Sequence, residues 1–86
     1  MPEISRFLGI VITMYFNDHN PPHFHVRYED HRAVLGIEPL RLTEGYLPPR
    51  VLGLVMEWAK MYQSELQRNW TALATEGTFM RIPPLV

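Results

Sequence analysis

The chain contains no cysteine. That excludes disulfide scaffolds and thiolate metal sites, and it suits a reducing compartment, so a cytoplasmic location is the expectation. Lysine is nearly absent: Lys60 stands alone, and the remaining seven of the eight basic residues are arginine. Neither sign of charge is in excess. A net charge of −1 gives none of the basic surplus of a dedicated nucleic-acid binder, although arginine is the better residue for forked contacts to carboxylate or phosphate. Long apolar runs are also missing. The run Phe7 to Phe16 is ten residues, too short to span a bilayer. Glu3 before it and Tyr15-Phe16-Asn17-Asp18 at its end do not make a signal peptide. No membrane role is expected.

What is present is a chain of 86 residues with 47 % hydrophobic content, which predicts one folded domain over residues 1–86. A chain this short buries only roughly 60–65 % of its unfolded surface, so a partner protein or self-association would add stability.

Residues 7–16 are rich in β-branched and aromatic types and read as one strand, with Leu8, Ile10, Ile12, Met14 and Phe16 on a core face. Asn17 to Pro22 reads as a loop. His23 to Tyr28 alternates, with Phe24, Val26 and Tyr28 inward and His23, His25 and Arg27 outward. A turn at Glu29-Asp30-His31 leads to a third strand, Arg32 to Ile37. Residues 38–49 read as irregular, with Gly45 in a turn. Pro49 suits a first helical position, and Val51, Val55, Trp58, Tyr62, Leu66, Trp70 and Leu73 mark one helical face. The helix is expected to run to about residue 75, with Gly77 as its stop. Its length of roughly 40 Å exceeds what a three-stranded sheet covers. Phe79 to Ile82 reads as an edge strand ended by Pro83-Pro84. The expected fold is α+β: a small antiparallel sheet of three to four strands packed on one long C-terminal helix.

Three of the four histidines lie within seven residues. His23 and His25, two apart on a strand, point the same way, and Asp18 and His19 precede them. Imidazole with carboxylate suits a divalent metal, making Asp18, His19, His23 and His25 candidate ligands. The same groups suit acid–base work near neutral pH, or serve only to brace the loop. Arg27 shares the histidine face, and Tyr15, Glu3 and Arg6 can adjoin it. His23, His25, Arg27 and Tyr15 together are the groups a metal-independent ribonuclease uses, with imidazole moving protons and arginine balancing phosphorane charge. On the helix, Trp58 and Tyr62 read as core. Trp70 lies where the domain has little surface left to cover it, and with Tyr62 and Leu66 it is the expected anchor for a partner.

The patterns Pro2-x-Ile4-Ser5-x-Phe7-x-Gly9-Ile10, Met14-Tyr15-Phe16-Asn17-Asp18-His19 and Pro21-Pro22-His23-Phe24-His25-Val26 resemble the bacterial domain-of-unknown-function family 4160 (DUF4160). Glu57-Trp58-Ala59, Glu65-Leu66, Asn69-Trp70 and Ile82-Pro83-Pro84-Leu85 extend the likeness. Members of that family often carry a glycine or small-residue turn where this chain has Glu29-Asp30-His31. The resemblance implies a small cytosolic protein, often encoded beside a second small protein of the family numbered 2442 (DUF2442). That arrangement is similar to a type II toxin–antitoxin pair, with this chain as the toxin-like component; action on RNA is the expectation drawn from His23, His25 and Arg27, and the resemblance brings no mechanism. It assigns no catalytic residue. A non-enzymatic module that binds a protein through the sheet and helix, and a small His/Asp metal-binding protein, are the competing expectations.

Overall fold

Leu8 and Gly9 both take left-handed backbone conformations, with φ of 52° and 79°. Two consecutive positive φ values make the tight turn whose twist matches paired strands. The chain therefore reverses at Leu8-Gly9, where a single strand over residues 7–16 was expected. In the computed structural model, which describes residues 2–86, β1 is Glu3–Phe7 and β2 is Ile10–Thr13, with Phe7 opposite Ile10. Ile10, Ile12 and Met14 are buried as expected, but Leu8 at the turn and Phe16 beyond the strand are exposed.

β3, His23–Tyr28, and β4, His31–Ile37, are joined by Glu29-Asp30 alone, and Glu29 takes φ 54°. Leu40–Gly45 forms β5, where no strand was expected. Its residues are almost all exposed, so it lacks the apolar alternation that betrays a strand. Gly45 ends it at φ 82°, and a β-carbon there would collide with the Arg32 carbonyl oxygen. The five strands run antiparallel in sequence order.

Pro49 does open a helix, without a side-chain cap. The expected single helix is two: α1, Pro49–Met61, and α2, Gln63–Thr75, broken at Tyr62. A rod of roughly 40 Å would overrun a molecule whose longest extent is 34 Å. The break keeps the stripe facing inward on both pieces, so Val51, Val55, Trp58, Leu66, Trp70 and Leu73 are all buried. They close one core with Ile4, Ile10, Ile12, Phe24, Leu35 and Ile37 from the sheet. Gly77, at φ 70°, follows the end of α2. Neither helix is long and apolar enough to cross a membrane.

Residues 79–82 are not an edge strand. They cross beside β1 with one backbone bond, Ile82 N–H to the Ile4 carbonyl at 2.8 Å. The buried Asn69 side chain holds Met80 by both its amide and its carbonyl, and the Trp58 indole N–H donates to the Pro83 carbonyl at 2.9 Å. Arg81 reaches Glu3 at 3.2 Å.

Candidate functional site

The helices cover one face of the sheet. The other face carries the outward residues of each strand in rows set by the register. Thr13 lies opposite His25, His25 opposite Val34, and Val34 opposite Glu44. The next row is Arg6, Val11, Arg27 and Arg32. An open groove of about 410 Å³ runs over this face, with Tyr15, His25, Arg27, Arg32 and Glu44 among its walls.

At one end of that face the loop after β2 returns to the start of β3. Asp18 is thereby brought against both histidines. Its Oδ2 lies 2.9 Å from His23 Nε2 and 3.6 Å from His25 Nε2. One ligand atom from each of these three residues falls within 4.8 Å of the others. His19 does not join them. Its side chain is 87 % exposed, and its Nδ1 sits 2.9 Å from the other Asp18 oxygen, Oδ1, which also accepts the His19 backbone N–H.

The hydrogen bonds decide which ring nitrogens hold protons. His23 Nδ1 lies 2.7 Å from the Pro21 carbonyl oxygen. A carbonyl only accepts, so Nδ1 carries the proton. In a neutral ring Nε2 is then an acceptor, and it faces Asp18 Oδ2, which is an acceptor too. Only a proton on Nε2 or a cation between the two atoms makes that contact favourable. His25 Nε2 is buried with no hydrogen-bond partner and faces the same oxygen from beyond hydrogen-bond range.

Electrostatics follow from this crowding. Burial pushes the Asp18 carboxyl up, but the His19 backbone N–H, the His23 charge and the contacts with His25 and His23 outweigh it, leaving Asp18 below the usual carboxylate range. Burial pushes the His25 imidazole down; Asp18 opposes that and the His23 charge adds to it, so His25 lies below its ordinary value. Glu3 is also held low, chiefly by its bond to Arg6, with Arg81 contributing. Both arginines tie Glu3 to structural work away from the histidines.

The family model described as "Domain of unknown function (DUF4160)" matches residues 9–71. The chain belongs to the DUF4160 family. No curated protein and no solved structure matches it. The matched segment of this DUF4160 domain includes Asp18, His23, His25, Arg27 and Arg32.

Trp70 corrects a further expectation. It is not an exposed anchor for a partner. It is 9 % exposed and its ring centroid lies 5.0 Å from that of His23. The break at Tyr62 leaves α2 packed against β4, which supplies cover for Trp70. Leu66 is fully buried, and Tyr62 is half-buried with its ring 6.0 Å from that of Trp58. Tyr15 stands beside His25, ring centroids 4.3 Å apart and edge to face. Arg32 and Glu44 escaped the sequence reading. The signal for Arg32 was available: a two-residue turn at Glu29-Asp30 places it opposite Arg27. Glu44 had no such signal, because β5 was not recognised as a strand.

Proposed function

We propose that this DUF4160 domain binds one divalent transition-metal ion through Asp18, His23 and His25. The observation that carries the reading is a convergence of three potential ligand atoms: two imidazole Nε2 atoms and one carboxylate oxygen meet at one point, and the His25 Nε2 is buried there with no hydrogen-bond partner. A cation satisfies all three at once. Ligands about 2.1 Å from a metal stand roughly 3.0 Å apart at right angles and roughly 3.4 Å apart in a tetrahedron, close to the 2.9 and 3.6 Å found here. The Pro21 carbonyl orients His23 through its other nitrogen, the usual arrangement of a ligating histidine. Two histidines and one carboxylate suit zinc, iron or manganese. Three protein ligands, one fewer than a closed structural site has, would leave the ion a coordination position for water or a ligand.

The test is metal analysis of untagged protein, followed by titration with zinc against a chromophoric chelator. About one ion per chain is expected, with affinity lost in Asp18→Asn and in His25→Ala. Metal content near zero together with no zinc uptake ends the reading.

A second reading draws on the family membership. It makes the domain the toxin-like component of a two-protein module, acting on RNA, with a small DUF2442-like protein as its partner. His25, Tyr15 and Arg27 line one groove, and the buried His23 lies beside His25 at its end, which brings together the proton-transfer and charge-balancing groups such an activity needs. Overexpression is then expected to slow growth, the neighbouring protein to relieve it, and His23→Ala to abolish it. Harmless overexpression rejects it. A non-enzymatic interaction module would have to use other surface than Trp70 and Leu66, which are buried.

A further inference from the structure

Arg27 and Arg32 stand directly opposite each other on β3 and β4. Residues so paired share a face, with β-carbons about 4.5–5.5 Å apart, and like charges in this position destabilise a sheet. Both side chains are exposed and both line the groove. Among the described residues neither has a carboxylate within 4.0 Å, whereas Arg6 and Arg81, on the same side of the molecule, are both neutralised by Glu3. The chain has acids to spend in the groove and does not place them here: Glu3 is committed to those two arginines, and Glu44 sits in the row of His25. Val11, opposite Arg27 on the other side, leaves no competing polar group.

We infer that Arg27 and Arg32 form a phosphate-binding subsite, one row along the sheet from His25. From directly opposed positions the two guanidinium groups can reach one anion, and each offers the paired N–H donors that phosphate oxygens accept in forked fashion. A bound phosphate turns the repulsion between them into attraction to a shared anion. Along a strand, one row to the next is two residues, roughly 6.6–6.8 Å. A phosphate held by the arginines therefore sets the next linkage of its ligand over His25. The ligand class is a phosphorylated small molecule or a phosphodiester chain. The inference does not depend on the metal reading, because arginines bind phosphate without one.

The experiment is a titration of the full chain in chelator, at constant ionic strength, following the arginine Nε–Hε resonances by NMR. The probes are inorganic phosphate in one arm and dimethyl phosphate in the other. Saturable shifts of Arg27 and Arg32 are expected, lost in Arg32→Gln and in Arg27→Gln but kept in Arg68→Gln, a change on the opposite side of the fold. A response to dimethyl phosphate assigns the subsite to phosphodiesters; a response to inorganic phosphate alone assigns it to terminal phosphates. Relief of the repulsion gives a second readout: Arg32→Gln is expected to melt higher than the wild type. Linear, unsaturable shifts with both probes, or shifts unchanged in the two variants, overturn the inference.

Discussion

Replacing Asp18 with asparagine changes the charge at the three-residue centre while keeping its shape, and the two occupancies of the centre respond in opposite ways. With metal bound, the wild type gains about 2.7 kcal/mol when the ion is at 100 times its Kd. For a domain of this size that is roughly 10–20 °C in Tm. Asparagine supplies no anionic oxygen, so the variant is expected to lose most of that rise. Without metal, the sign depends on the His23 proton. Where His23 is neutral, Asp18 Oδ2 opposes another acceptor at 2.9 Å, and the asparagine amide can donate to it instead. One such neutral bond contributes about 0.5–1.5 kcal/mol. The variant should then melt no lower than the wild type in chelator, and up to several degrees higher. The assay is thermal unfolding by circular dichroism at alkaline pH, in chelator and in a zinc series. Equal zinc shifts in both proteins, or an asparagine variant that melts well below the wild type in chelator, would refute the reasoning.

Trp70→Ala removes a buried ring that backs His23 and should cost about 3–5 kcal/mol, read as a lower urea midpoint; a variant of unchanged stability would restore the case for Trp70 as a surface anchor. Asn69→Ala deletes both bonds to Met80 and should cost roughly 1–3 kcal/mol, with faster proteolysis between residues 77 and 86 while the sheet survives. Acid should destabilise the metal-free protein. His25 and Asp18 are both held below their ordinary values in the fold, so the unfolded chain takes up these protons more readily and stability rises with pH. Stability present at alkaline pH is lost first below about pH 6.5, as His25 charges, and again below about pH 4, as Asp18 is neutralised. Urea midpoints between pH 8 and pH 3.5 measure this, with the His25 step read as the difference between the wild type and His25→Asn; a difference that stays constant from pH 7 to 5 contradicts it.

How far the fold could be read depended on which signals were periodic. β3 and the helical stripe were legible because His23 to Tyr28 alternates and Val51 to Leu73 recurs at three and four. The placing of His23 beside His25 follows from that alternation alone, but the alternation also put His23 outward, and it is buried because Trp70 covers its ring. The β1–β2 hairpin was hidden because leucine rarely takes the first central place of such a turn, so Leu8 extended an apolar run that Gly9 in fact divides. β5 was hidden because both its faces meet water. The break at Tyr62 has no proline or glycine to announce it; it answers to the size of the sheet, which local sequence does not encode. Asp18 reached the site, and His19 did not, through a loop path that no residue pattern specifies.

The family match begins at Gly9 and ends at Thr71. β1 lies before it and the Asn69-held tail after it, and these two outlying segments grip each other through Ile4 with Ile82 and Glu3 with Arg81. They behave as a clasp: cutting away either half frees the other. A chain trimmed to the matched residues would therefore lose Ile4, Phe7 and Ile82 from the core at a stroke, with Phe7 taken from beside Trp58.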